Sequence, residues 1–272
     1  MPARAARGAR AVASWWATYF DAGYLREYAP LFDAAEARAQ VGRLVELLAL
    51  PTGARVLDLA CGQGRHATLL AQAGLDVVGL DYSQALLSVA RDEAKAARVP
   101  VRASARTGGG ALRYRQGDMR RLPAEWRGRF DGVVNLFTSF GFFDDPADDA
   151  DVIRGVARVL RPGGRFLWQG GSRDGVLHRF VSRDAWESPG GLTVEQRRDF
   201  DPVSGFLTIR STWTRGARVE QRVHRIRLYT ADRLADLVRS AGLRVEAVYE
   251  GFSDAPLTRR SGEMLLVARA PD

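Results

Sequence analysis

Residues 56 to 66 read Val-Leu-Asp-Leu-Ala-Cys-Gly-Gln-Gly-Arg-His, an apolar run that stops at two glycines and passes directly into a helix-forming stretch. A strand ending in such a turn carries no side chain at Gly62 or Gly64, so a ligand can approach the backbone, and the following helix start offers free amides. This is the anatomy of a nucleotide or nucleoside site. A second feature lies in register with it. Asp81 closes the next strand, 19 residues beyond Gly62, where a carboxylate can accept hydrogen bonds from both hydroxyls of a ribose. Dinucleotide sites share this geometry, and Ala67 can stand for the third small residue of their Gly-x-Gly-x-x-Gly/Ala run. Asp58 discriminates between the readings, because an acid four residues before the first glycine repels a pyrophosphate and attracts a cationic amino-acid portion.

The elements that must hold these residues follow from the pattern around them. Arg55–Ala60 and Asp76–Leu80 read as short strands, with helices expected over 65–73 and 83–97. Strand, helix, strand, helix is the signature of a parallel sheet with crossovers. After a loop expected over 98–111, strands follow at Leu112–Gln116, Phe130–Phe137 and Arg165–Gln169, with a helix over Pro146–Leu160. Five aspartates (144, 145, 148, 149 and 151) crowd the start of that helix. A metal site is one reading; the preferred one makes Asp145 the N-cap ahead of Pro146, with the others favoured by the helix dipole.

Residues 172–229 change character. The runs 192–200, 206–214 and 218–229 are rich in Val, Thr, Arg and aromatics and predict antiparallel hairpins. Leu207, Ile209 and Trp213 share one face and Thr208, Arg210, Thr212 and Thr214 the other, so the sheet should have one buried side. Thr230 is placed to cap a helix ending at Gly242, and strands over 243–249 and 264–268 close the chain. The N-terminal stretch 11–50 reads as helical, with Trp15, Trp16, Tyr19 and Phe20 in one apolar cluster.

With 272 residues, 46% hydrophobic and 26% charged, the chain can bury a core. No run approaches the roughly 18 apolar residues of a membrane span. The net charge of +8 would ordinarily point to an anionic partner. However, Lys95 is the only lysine among 40 basic residues, and the arginines are scattered through every element as in a GC-rich genome. The charge is therefore discounted. The single cysteine, Cys61, rules out an internal disulfide and a cysteine-cluster metal site and fits a reducing compartment, so a cytoplasmic location is expected. Arg4, Arg7 and Arg10 with no acid among them read as a basic tail rather than a secretory signal.

From about Leu31 onward the chain resembles the class I S-adenosylmethionine-dependent methyltransferases. Asp58–Gly64 is similar to their first motif and Asp81-Tyr82-Ser83 to their acidic ribose turn. Gln116-Gly117-Asp118-Met119-Arg120 resembles the turn that brackets adenine, the run 130–141 their fourth motif, and Leu160–Gly164 the turn before strand five. The resemblance implies an α/β, doubly wound, Rossmann-like seven-stranded sheet with a reversed C-terminal hairpin, elaborated by an inserted antiparallel β subdomain and N-terminal lid helices. It divides the chain into a tail and lid (1–30), a cofactor-binding core (31–171), an inserted sheet covering the acceptor (172–229) and a completion of the core sheet (230–272).

The same resemblance implies S-adenosylmethionine as cofactor, S-adenosylhomocysteine as its product, and no metal. Gly62 and Gly64, with Ala60 between them and Asp58, would lie under the methionine portion and Asp58 near its amino group. Asp81 would hold the ribose with Tyr82 adjoining, and Asp118 and Met119 the adenine. Asn135 and Leu136 would place carbonyls near the sulfonium and the amino group. Tyr24, with Tyr19 and Tyr28, resembles lid tyrosines that contact the cofactor. His178, His224 and Tyr229, with Arg210, Arg225 and Arg227, are candidates for lining an acceptor pocket, and the first three are the candidates for a catalytic role. His66 reads as a helix-start residue.

Cys61 already sits in the cofactor turn, which argues against a cysteine-dependent C5 methylation of nucleic acid. Asn135-Leu136-Phe137-Thr138 departs from the Asn/Asp-Pro-Pro-aromatic run of nucleobase amino-methyltransferases. The expected activity is therefore transfer of a methyl group to a nitrogen or oxygen of a small molecule by in-line displacement. An enzyme acting on tRNA or rRNA through the arginine-rich sheet is the alternative. A non-catalytic binding protein and an NAD-linked oxidoreductase are alternatives of other classes. The oligomeric state is open, a homodimer included.

Overall fold

The structure is a computed structural model and describes residues 14–28, 32–101, 110–188 and 191–272. The basic tail and most of the loop expected at 98–111 lie outside the described residues. Two short helices, α1 (Trp16–Tyr19) and α2 (Ala22–Tyr28), precede a longer one, α3 (Ala34–Leu48). Then β1 (Arg55–Leu59), α4 (Arg65–Gln72), β2 (Asp76–Asp81), α5 (Gln84–Ala96), β3 (Leu112–Gln116), β4 (Phe130–Asn135), α6 (Pro146–Val159) and β5 (Leu160–Gly171) alternate. A short helix, α7 (Arg173–His178), leads into β6 (Arg183–Ser188), β7 (Leu192–Phe200), β8 (Phe206–Arg215) and β9 (Arg218–Arg227), and α8 (Ala231–Ser240), β10 (Arg244–Glu250) and β11 (Glu263–Arg269) finish the chain.

The strands form a seven-stranded sheet in the order β10-β11-β5-β4-β1-β2-β3 and a four-stranded sheet in the order β6-β7-β8-β9. β1 to β5 run parallel, and β11 is antiparallel to both β5 and β10. This is the Rossmann-like sheet with a reversed final hairpin that the sequence predicts. Order reverses between β1 and β4, so the C-terminal ends of these two strands open a crevice where an open α/β sheet binds its ligand. Leu57, Leu59, Val133 and Phe166 pack one face of the sheet against α6 and α8, and Val56, Val77, Val134 and Leu167 pack the other against α3 and α4. Each side chain so buried contributes about 1.5–3 kcal/mol.

Local signals explain the helix starts. Asp33 caps α3 by accepting from the Glu36 amide at 2.7 Å, and Ser83 caps α5 by accepting from Leu86 at 3.1 Å. Asp145 accepts from the Ala147 amide at 2.9 Å, with Pro146 in the first turn of α6, as the capping reading requires. Thr230 precedes α8, but its hydroxyl donates to Asp232 instead of accepting from the helix.

Strand β4 stops at Asn135, two residues short of expectation, because Phe137 and Thr138 have φ of +56° and +59°. β5 starts at Leu160, ahead of its expected first residue, since Leu160 already pairs with Phe130. β6 and α7 were not expected; Arg183–Ser188 is a mostly exposed edge strand without an alternating apolar pattern.

Candidate active site

The crevice beyond β1 and β4 is a cleft of about 880 Å³. Its floor is the turn between β1 and α4. Gly62 has φ of +55°, and a Cβ placed there would meet nothing nearer than Leu86 Cδ1 at 3.9 Å, so this position faces open cleft. Gly64 differs. Its φ is +76°, and a Cβ would fall 2.1 Å from the Tyr114 hydroxyl and 2.9 Å from Ala90. The second glycine therefore makes room for Tyr114 rather than for a ligand, which corrects the expectation that both glycines underlie the bound molecule.

Asp58, Ala60, Gly62, Asp81, Tyr82, Asp118, Met119, Leu136 and Tyr24 all line the cleft. Asp58 is 3% exposed, and its Oδ2 has no hydrogen-bond partner. Burial, followed by the negative charge of Asp81, pushes its carboxyl up to about 7, against the pull of the Ala67 amide and Arg65. Asp81 accepts from the Gly62 amide at 2.8 Å and the Ser83 amide at 2.7 Å, yet burial still raises its carboxyl above the usual range. Two buried acids that form no ion pair among the described residues make a floor that attracts positive charge and hydroxyl donors.

One cation shares the floor. Arg65, the first residue of α4, lies with its guanidinium 4.8 Å from the Phe137 ring centre and 5.3 Å from that of Phe32. It forms no ion pair among the described residues. In sequence, an arginine that opens a helix resembles any solvated side chain; its place directly after the glycine turn is the signal that distinguishes it. Asp118 is held differently, by bidentate contacts from Arg120 (2.7 to 3.1 Å), which also donates to Asp148 at 2.8 Å. Despite burial, those contacts keep the Asp118 carboxyl below its ordinary value. Asn135 does not line the cleft. Its side-chain amide donates to Leu59 O (2.8 Å) and Ser139 O (3.3 Å), tying the ends of β1 and β4 together.

Much of the remaining lining is aromatic, with Phe20, Tyr24, Phe32, Phe137 and Phe142 beside Ser139. The strained Phe137–Thr138 turn is fixed by the buried Gln169, whose Oε1 accepts from the Phe137 amide at 2.7 Å while its amide donates to Glu263 at 2.8 Å. His66 lines the cleft too, but its Nε2 is bonded to Gln40 at 2.8 Å, and burial lowers its pKa to about 3.

The inserted sheet supplies none of the residues lining this cleft. It acts one layer back, by holding the helices that do. Glu27 of α2 is fully buried and accepts from Ser211 (2.7 Å), Gln196 (3.2 Å) and the Tyr19 hydroxyl (2.9 Å). Arg222 clamps Asp21 at 2.7 and 2.9 Å, and its guanidinium lies 4.0 Å from the Trp213 ring centre.

The candidates for a catalytic role are corrected accordingly. His224 packs among Trp15, Tyr19 and Tyr28, with burial lowering its pKa to about 4. The Tyr229 hydroxyl donates to Asp149 at 2.7 Å, beside the Arg227–Asp149 ion pair. His178 lines a separate depression with Arg173, Phe200 and Arg259. Arg225 pairs with Asp144. Arg183, Arg197 and Arg210 stand in direct cross-strand register on the solvent side, exposed, but Glu187, Glu195 and Asp199 share that face. That face of the sheet therefore carries both signs of charge. Tyr19 and Tyr28 face the Glu27 network rather than the cleft.

Comparisons with known proteins give this geometry its context. Residues 56–164 match the family model described as a methyltransferase domain. A ubiquinone biosynthesis O-methyltransferase of Pseudomonas aeruginosa is 33% identical over 139 residues, 51% of this chain and 52% of that protein, so the chain spans about half the length of this relative. Among solved structures, an S-adenosylmethionine-dependent methyltransferase from Clostridium acetobutylicum superposes with a TM-score of 0.75 at 15% identity, over 92% of this chain and 96% of that one. The sugar N-methyltransferase KedS8 from Streptoalloteichus superposes with a TM-score of 0.68 at 21% identity, covering 100% and 99%. No helix among the described residues is long and apolar enough to cross a membrane.

Proposed function

We propose that this chain, whose residues 56–164 match a methyltransferase domain, is an S-adenosylmethionine-dependent enzyme that moves a methyl group to a nitrogen or oxygen atom of a small-molecule acceptor held among the aromatic side chains of the cleft. The observation that carries the reading is the floor of the cleft. A buried carboxylate with a bare oxygen, Asp58, stands near Arg65, which forms no ion pair among the described residues, beside a glycine that leaves its space open. Such a floor suits a zwitterion, and the methionine end of the cofactor is one.

Asp58 would hold the amino group and Arg65 the carboxylate. Asp81, anchored by two amides, keeps lone pairs for the ribose hydroxyls, while Asp118, Met119 and Tyr82 would bound the adenine. Ala60 and Leu136 would flank the reacting end, Tyr24 would close it, and Gly64 and Asn135 would support the floor from behind. When bound, the cofactor supplies a methyl group on a sulfonium sulfur. The protein's part is alignment and exclusion of water, which account for much of the acceleration of a displacement reaction. Trp16 of α1, Tyr24 of α2 and Phe20 between them would form the lid, and the inserted sheet would hold that lid in place.

Thermal unfolding with S-adenosylmethionine, S-adenosylhomocysteine and NADH tests this directly. A ligand present at a hundredfold its Kd adds about 2.7 kcal/mol of stability. The first two are expected to raise the melting temperature and NADH to leave it unchanged; a shift with NADH alone would replace this reading with an oxidoreductase.

A further inference from the structure

We infer that the acceptor is an uncharged amine, methylated through its nitrogen lone pair, and not an alcohol or phenol. The inference rests on the methyl-transfer reading above and deepens it. With Asp58, Arg65, Asp81, Tyr82 and Asp118 committed to the cofactor, the polar side chains left in the cleft wall are Tyr24, Cys61, Gln63, His66 and Ser139, set among aromatic and aliphatic neighbours. No group there can take a proton. Burial drives the Tyr24 phenol and the Cys61 thiol well above their ordinary pKa values, so both stay protonated. Ser139 is an alcohol. His66 is engaged by Gln40 and too weakly basic. His224, Glu27 and Tyr229 are absent from the cleft lining; Glu27 and Tyr229 are hydrogen-bonded elsewhere, and burial leaves His224 too weakly basic. Residues 1–13, 29–31, 102–109 and 189–190 contain no Asp, Glu, His, Lys, Cys or Tyr, so they hold none of these bases.

Proton balance then selects the nucleophile. An attacking hydroxyl would become an oxonium unless a base removed its proton during the displacement. A neutral amine needs no base. Its lone pair forms the C–N bond as the donor's S–C bond breaks, the sulfur leaves as a neutral thioether, and the nitrogen keeps its proton and becomes an ammonium, which sheds that proton to water after release. The aromatic wall suits this course, because ring faces attract the positive charge that develops on nitrogen.

The test uses two isosteric pairs, benzylamine with benzyl alcohol and aniline with phenol, each incubated with the enzyme and methyl-labelled S-adenosylmethionine. Products are identified by mass spectrometry. S-adenosylhomocysteine binding is measured in parallel by calorimetry, as is benzylamine binding to the S-adenosylhomocysteine complex across pH. The expected result is label on the amines at least tenfold faster than on their hydroxyl partners. The pH midpoint of turnover should move with the pKa of the amine used, and benzylamine binding should tighten as that amine loses its proton. Faster labelling of the hydroxyl partners, a midpoint that stays fixed from one amine to the other, or no methylated amine despite intact S-adenosylhomocysteine binding would each overturn the inference. Loss of S-adenosylhomocysteine binding itself would instead sink the reading beneath it.

Discussion

Two buried carboxylates, neither in an ion pair among the described residues, sit at opposite sides of the lid. Glu27, at the joint between α2 and the inserted sheet, has both oxygens filled by three neutral donors from Tyr19, Gln196 and Ser211. Asp58, on the cleft floor, keeps one oxygen bare and faces a second acid. A buried charge that serves the fold alone is normally satisfied within it. One left open costs stability, and an incoming cation can recover that cost. The difference marks Asp58 as the one of these two carboxylates left open to a cation.

Buried carboxylates that are held within the fold should break hardest. Arg227→Ala leaves Asp149, which is fully buried, without its cation. Loss of one partner of such a pair costs about 3–5 kcal/mol, so chemical denaturation should show a drop of that size. The folded protein should still bind S-adenosylhomocysteine within twofold of wild type. Glu27→Ala strands the donors of Ser211, Gln196 and Tyr19 and should cost roughly 1–3 kcal/mol of stability. Both losses belong to the fold, so a variant that stays fully stable but loses cofactor binding would erase the distinction.

On the floor the signs change. Asp81→Ala should weaken S-adenosylmethionine binding by about 1–3 kcal/mol, because it removes a charged acceptor; unchanged affinity in a titration would take Asp81 out of the ribose role. The smallest effect is expected at His178→Ala. Because this side chain lines a different depression, turnover should stay within twofold of wild type, and a larger loss would mean that the inserted sheet reaches the reacting atoms.

The parts of this account that could be read in the sequence are those where local pattern and tertiary role agree. β1, β2 and the closing hairpin are apolar runs punctuated by glycine or a capping residue, and Asp58 and Asp81 lie at strand positions that their spacing already fixes. What stayed hidden depends on contacts far apart in the chain. Gly64 carries the same letter as Gly62, and only the Tyr114 hydroxyl, arriving from β3, shows that it serves packing. Arg65 became a cleft residue once Phe32 and Phe137 flanked it. The histidines and arginines of the inserted sheet looked chemical as isolated letters, yet Asp21, Asp144 and Asp149, each at least 78 residues away, occupy several of them. Strand β6 had no apolar alternation to announce it.

The most direct test of the central claim, that Asp58 is held ready for a cation, is an S-adenosylhomocysteine titration of wild type and Asp58→Asn at pH 6 and pH 7.5, with the stability of each free protein measured alongside. In the free enzyme the Asp58 pKa is raised from 3.8 to about 7. Between those values the folded state holds a proton that the unfolded chain has lost, so this group's contribution to stability falls as pH rises. Wild type should therefore bind more tightly at pH 7.5, where less work is needed to ionise Asp58, and its free form should lose stability across the same range. Asp58→Asn should flatten both dependences, bind more weakly at pH 7.5, and be the more stable free protein there, by on the order of 1–3 kcal/mol. Equal affinity in the variant, or a variant less stable than wild type at pH 7.5, would contradict the account.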